Sequence, residues 1–479
     1  MAPRKKSKSK PKPSTSTGDP HRETRNGVHP THSRVAQSPE SPTTTINSIP
    51  SEVLSEIFIL ASLTDREFFE RPNFYDSERR KLMNPTLILC AVCSSWRFLA
   101  FSTPRLWNRI PIRVPRGIKE DQAKRKAADL IQWISRSRSL PLTLNVSGGF
   151  SNPSYGEVPD ALIISVINDH AARWQTLCFQ HFDPSETSWL FRTDNGWHSL
   201  RRLRYRYSDP MSCPNENVPW AHLTHLEIQD HMPYRSAAMV FLKCPKLVWL
   251  SICFHPLIIG ESTVPMVTLE YLVTLRLHTY CLAGFQTILN RLPSLPSLRE
   301  FSIDQIAGDI EPLLNFFTRS PCTLDRLEIR ASITPRDYLD VLAHPSCESL
   351  TSLSIRPSRL GLSVDEEVLQ RLTLHRNDTI CSHLSSLTIE YRIPTSLLST
   401  ALNMVKSRIE SAAGQVPEEP ALQRLRLHVI HCKKNMAKLD MIGRRSGMEY
   451  SRKRTESGYV LVLFRRQGFR EPPDFSEPF

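Results

Sequence analysis

The sequence predicts an α/β solenoid, with one short strand and one helix per repeat stacked along most of the chain behind a small all-helical module. Three observations predict it. The pattern apolar-x-x-apolar-x-apolar occurs ten times between Trp174 and Leu427. Its copies are almost evenly spaced, and apolar residues at helical spacing fill the intervals between them.

The copies begin at Trp174, Leu200, Leu223, Leu247, Leu272, Leu298, Leu324, Leu350, Leu384 and Leu422. Seven of the nine intervals are 23–26 residues long and the last two are 34 and 38, so the extra residues of the last two are expected to loop out. This period is shorter than the roughly 30 residues of a βαβ unit, which argues against a doubly wound sheet. Helices are expected over 162–174, 236–242, 284–292, 310–318, 336–343, 366–372 and 396–409. Period-two alternation predicts a first strand at 140–146, and 459–464 reads as a final apolar strand. One repeat cannot cover its own apolar face, so neighbours stack and bury a continuous core.

Ahead of the repeats, residues 46–110 read as helices. Val53, Leu54, Ile57, Phe58, Leu60 and Ala61 keep helical spacing, and Pro50 suits a first helical turn. A second helix after Asn84-Pro85 carries Leu87, Ile88, Ala91, Val92, Trp96 and Leu99, and Thr103-Pro104 stops it. Between them lies a mostly polar insert, 64–84. These helices hold more large apolar side chains than they can bury against one another, and the surplus implies a partner surface.

Composition bounds the rest. The formal charge of +13 is concentrated at 1–44 (nine Lys/Arg against three Asp/Glu) and at 424–454 (ten against two). Residues 1–44 are rich in Ser, Thr, Pro and Lys and read as a disordered tail whose PRKKSKSKPK run could serve nuclear import. The 11 cysteines show no repeated pair spacing and no apolar leader precedes them, so free thiols are expected in the nucleus or cytoplasm, without a membrane span. The resulting organisation is a basic tail (1–44), a helical module (45–112), a basic connector helix (113–139), the solenoid (140–465) and a C-terminal tail (466–479).

Two segments now carry resemblances. Ile49-Pro50-x-Glu52-Val53-Leu54-x-Glu56-Ile57-Phe58, Val92-Cys93-x-x-Trp96-Arg97-x-Leu99-Ala100 and Pro104-x-Leu106-Trp107 together resemble an F-box. The repeats resemble the leucine-rich repeats that often follow one, although the family's regular Asn or Cys after the strand is missing. The resemblance implies a Skp-type adaptor as partner, and through it a cullin. It implies adaptor contacts at Ile49, Pro50, Leu54, Ile57, Phe58, Val92, Cys93 and Trp96, and a horseshoe whose concave face binds a substrate protein.

On a strand of this repeat the leucines face the core and the residues between them face the concave side. Arg202, Arg204, Trp249, Arg276, Arg326, Arg424 and Arg426 are the substrate-contact candidates on that side, with Trp249 expected as an exposed aromatic anchor. Chemistry of other kinds finds no support. Cys90-x-x-Cys93 sits within the predicted second helix without a second pair, and His428-x-x-His431-Cys432 lacks further ligands. There is no phosphate loop, nucleophile elbow or H-E-x-x-H motif, so no cofactor, metal or catalysis is expected. A substrate receptor of a cullin–RING ubiquitin ligase is therefore the leading expectation. A repeat scaffold outside any ligase is the alternative, and specific nucleic-acid binding is not expected.

Overall fold

In the computed structural model, the residues described are 46–63, 84–115, 117–148, 159, 161–180, 191, 196–206, 218–232, 234–254, 268–279, 288–290, 292–307, 309–357, 365–374, 379–393, 395–410, 424–430, 437, 440, 441, 444, 448–454 and 459–466. The expected basic tail (1–44), nearly all of the insert (64–84) and the last residues (467–479) lie outside them. The chain divides into two units, 1–53 and 54–479. In the first, a 3-10 turn at Ile46–Ser48 precedes the start of helix α1, Ser51–Leu63.

The second unit continues with α2 (Pro85–Val92) and α3 (Ser94–Ser102). Asn84 caps α2, its side chain accepting from the Thr86 N–H at 2.9 Å, and Pro85 occupies the first turn. The sequence suggested one helix here; the structure has two. Cys93 is extended (φ −156°, ψ 173°), ends α2 and caps α3, with its sulfur accepting from the Trp96 N–H at 3.5 Å.

Every predicted repeat copy is a strand of one sheet, and two more precede them. β1 (Arg109–Val114), β2 (Leu142–Gly148), β3 (Trp174–Gln180), β4 (Arg202–Arg206), β5 (His225–Met232) and β6 (Trp249–Phe254) open the series. β7 (Thr274–Thr279), β8 (Glu300–Ala307), β9 (Arg326–Ser332), β10 (Ser352–Pro357), β11 (Ser386–Ile393) and β12 (Arg424–Ile430) complete it. These twelve strands lie side by side in chain order, all parallel. A doubly wound sheet reverses its strand order at a switch point; this one never does, so it is a solenoid-like α/β fold.

The ladder thus starts at Arg109, one repeat earlier than 140–146. The "connector" is α4 (Glu120–Arg136), the crossover helix of the first repeat, and it buries Ala123, Ala127, Leu130 and Ile134. Later crossovers carry α5 (Ala161–Asp169), α6 (Tyr234–Lys243), α7 (Glu311–Arg319), α8 (Pro335–Leu342), α9 (Glu366–Arg371) and α10 (Leu398–Glu410). Of the helix expected at 284–292, residues 288–290 are helical. Thr334 and Asp337 form a capping box at the start of α8.

Core residues of strands and helices form one continuous cluster on one side of the sheet. Backbone bonds repeat with the period. Arg201 O, Thr224 O, Val248 O, Val273 O, Arg299 O, Asp325 O and Thr351 O each accept two successive N–H groups at the entry to the next strand. Where the repeat lengthens, Arg408 on α10 lies buried and donates to Leu372 O (2.6 Å), Cys381 O (3.1 Å) and Ile380 O (3.2 Å), tying the long interval back to the core. Gly148 is obligatory at its site: φ is +113°, and a Cβ would lie 1.9 Å from Val114 O on the paired strand.

The parallel series ends in an antiparallel hairpin. β14 (Tyr459–Arg466), predicted as the final strand, pairs with β12, and β13 (Met448–Arg454) lies outside it. β13 escaped the sequence reading because MEYSRKR is mostly polar or charged, a composition that suits an edge strand and discourages pairing with other chains. No described helix is long and apolar enough to cross a membrane.

Candidate functional site

Two surfaces carry the residues singled out by the sequence. The first is the helical module. Phe58 is only 1% exposed and packs on Trp96, with ring centroids 4.7 Å apart. Trp107 is fully buried: its indole N–H donates to Ala100 O at 2.7 Å and its ring meets Trp133 of α4 at 4.8 Å. The Arg136 guanidinium covers both Phe101 (4.3 Å) and Trp107 (4.5 Å). Arg97 Nε donates to Cys90 O at 2.8 Å, and Thr86 Oγ1 to Leu106 O at 3.2 Å. α3 and the turn after it are therefore seated on the first repeat of the solenoid.

The eight candidate adaptor contacts fall into three groups. Leu54 and Phe58 point into the module's own core, so they support its shape and do not face outward. Trp96 and Ile49 are half-buried, while Pro50, Ile57, Val92 and Cys93 are exposed. Sequence spacing alone did not single out the rest of the outward apolar set: Leu60, Leu87, Ile88, Phe98 and Phe101 are also exposed. Ile57 is 44% exposed, Val92 56% and Phe98 77%. Three short helices cannot enclose that many large side chains.

The second surface is the face of the sheet opposite the helices. Strand register lines it with rows one residue deep. One row runs Arg109, Thr143, Thr176, Arg202, His225, Trp249, Thr274, Glu300, Arg326, Ser352, Ser386, Arg424. The neighbouring row carries Arg204, Glu227, Ser251, Arg276, Ser302, Glu328, Ser354, Thr388 and Arg426 on β4–β12. All seven predicted substrate-contact residues therefore do share one face.

Most of them are engaged there. Arg204 Nε meets Glu227 Oε2 at 2.6 Å with both side chains almost fully buried, and Gln229 also donates to Glu227. Arg276 is buried; desolvation pulls its guanidinium down to about 10 against the opposing pull of Glu227, Glu328 and Glu300. Arg326 lies 3.8 Å from Glu300, Arg356 bridges Glu328 (3.3 Å) and Glu390 (3.6 Å), and Arg426 reaches Glu390 at 3.5 Å. His278 pairs with Asp304 at 2.8 Å; desolvation, the largest single influence, pushes the Asp304 carboxyl up, but the His278 hydrogen bond and the charges of His278, Arg330 and Arg356 together hold it below its usual range.

Trp249 is not the exposed anchor expected: it is 6% exposed, and the Arg276 guanidinium stands 5.1 Å from its ring centroid. Arg202, Arg326, Arg424 and Arg426 are half-buried. Sequence spacing placed these residues on shared rungs but did not pick out the pairs: Glu227 stands 23 positions from Arg204 and Glu300 26 from Arg326, whereas Glu390 stands 34 from Arg356 and 36 from Arg426.

Cysteine chemistry is quiet in the described part. Eight cysteines are free, all buried except Cys93. Burial pushes Cys178 up to about 11 and Cys244 and Cys381 up to about 12, so these thiols stay protonated. No cluster of His, Cys, Asp or Glu among the described residues could hold a metal ion; the side chains of the His428–Cys432 motif lie outside the description. No protein-family model matches the chain, and no curated protein matches it.

Proposed function

We propose that this chain is a non-catalytic substrate receptor of an SCF-type cullin–RING ubiquitin ligase. Its F-box-like helices would dock on a Skp-type adaptor, and the open face of its leucine-rich-repeat sheet would hold a target protein near the ubiquitin-loaded enzyme. The observation that supports this reading is the exposed apolar set on α1–α3, centred on Ile57 and Val92, at the positions where the F-box-like motif runs. Ile57 and Val92 are about half exposed, so a partner that covers them gains roughly 1 kcal/mol from each, about half the value of a full burial. Contribution to the reaction would come from proximity and orientation alone.

Co-purification tests it. Wild type is expected to retain a Skp-type adaptor, and Ile57→Asp with Val92→Asp to lose it at least ~100-fold, because both sites are outward and the charges have no place in an apolar interface. The far-UV circular dichroism of the variant should be unchanged. Adaptor retention by a folded double variant, or failure of wild type to bind, overturns the proposal; the second result leaves the repeat scaffold.

A further inference from the structure

The first four strands form the longest run of the parallel series without Asp or Glu; beyond them β5, β8, β9 and β11 carry acids, and the acid-free strands stand singly or as the pair β6–β7. Arg109, Arg113, Arg202, Arg204 and Arg206 all lie on β1 and β4, and β2 and β3 between them contribute Thr143, Asn145, Thr176 and Cys178 to that face. The residues leading into these strands, 104–108, 137–141, 170–173 and 196–201, add Arg and His but again no acid. Of these arginines, Arg204 is neutralised by Glu227. Arg109 and Arg113 are exposed and Arg202 is half-buried, and none of the three has a carboxylate partner among the described residues.

Register fixes how far apart they stand. Arg109 and Arg202 share a row three strand spacings apart, about 14 Å; Arg109 and Arg113 are four residues apart on one strand, about 13 Å. Flexible side chains can converge from those corners, and the Arg109 guanidinium is pulled below its usual range first by burial and then by the charge of Arg202. His225, next on the row, is held down to about 4 by burial and by Arg202, so it remains neutral and offers no counter-charge.

We infer that this end of the open face is a docking site for an acidic, Asp/Glu-rich segment of a partner protein. Several carboxylates spread along an extended peptide match three separated guanidinia better than one compact anion does, and arginine holds carboxylates in a two-pronged grip. The chain's own N-terminal tail is excluded as occupant by its +6 charge. A long polyanion such as nucleic acid fits less well than a short acidic segment, which can end within the patch before the carboxylates of Glu300, Glu328 and Glu390 further along the face. The inference rests on reading the open face as the substrate face and is independent of the adaptor.

Fluorescence anisotropy on the full chain can decide it, using four labelled probes: an Asp/Glu-rich peptide pool in a Gly/Ser background, the matching Asn/Gln pool, a phosphoserine pool and a single-stranded oligonucleotide. The acidic pool should bind best, weaken as salt rises, and lose at least ~10-fold in affinity with Arg109→Gln plus Arg202→Gln. Arg125→Gln with Arg336→Gln, exposed on the crossover helices α4 and α8 away from the open face, should leave it unchanged. Equal binding of the Asn/Gln pool, tighter binding of the phosphoserine pool or the oligonucleotide, or indifference to the Arg109/Arg202 change overturns the inference. Adaptor capture by the same variants separates this failure from a failure of the ligase reading.

Discussion

The helical module and the repeat sheet solve the same burial problem in opposite ways. In the module, large apolar side chains such as Val92 and Phe98 face outward while a few aromatics, Phe58 and Trp107 among them, make a small core. In the sheet the apolar core is closed along its length, and charged groups such as Arg204, Glu227 and Arg276 are buried on the opposite face. The difference follows from geometry. A solenoid gains core with each added repeat, whereas a few short helices have too little interior for their own hydrophobic residues. The module's excess apolar surface and the sheet's excess buried charge point to different roles, docking in one and ordering of a polar face in the other.

Substitutions can break or sharpen this contrast. The largest effect is expected in the sheet core: Phe301, fully buried between Phe316 (5.7 Å) and Phe317 (5.6 Å), should cost about 3–5 kcal/mol as Phe301→Ala in urea unfolding. Phe98→Ala, in the module, should cost under about 0.5 kcal/mol because that ring is already in water. If the two cost the same, the module's apolar surface is not free.

Next in size is the buried pair. Arg204→Leu alone should destabilise by about 3 kcal/mol, since it strands the Glu227 carboxylate in a dry site. Adding Glu227→Gln should recover a good part of that loss. Recovery would show that the cost lies in the unpaired charge; no recovery would assign it to packing of the arginine stem.

The smallest expected effect is on pH dependence. His225 is held at about 4 in the fold against about 6.5 when unfolded. The unfolded chain therefore binds the extra proton, so His225 contributes stability that is fully present above about pH 6.5 and is lost as pH falls towards 4. Discounted for its partial exposure, the contribution is on the order of 1–2 kcal/mol. His225→Gln should flatten the stability profile across that window; an unchanged slope would place the titration elsewhere.

Much of this was legible in the chain itself. The ten motif copies, their spacing and the residues sharing the open face follow from a period of two within strands and about 25 between them, both local properties of the sequence. β1 was missed although Trp107-Asn-Arg-Ile110-Pro-Ile112 fits the repeat pattern, because Trp107 was read with the helical module and Pro111 stands inside the strand, so Arg109 and Arg113 were not placed on the face. β13 was missed for its charge. Trp249 was misread because side-chain exposure depends on the neighbouring rung: Arg276 on β7 stands over it.

Sequence alone therefore determined the repeating strand–helix plan, the apolar core positions and the surplus of hydrophobic residues in the module, because each depends on which residue types recur at fixed spacing. Tertiary structure decided the rest: where the ladder begins, which arginines are neutralised by carboxylates one strand away, and which apolar side chains of the helices face water. Those depend on distances between residues some 25 positions apart, which only the stacked chain brings to a few ångströms.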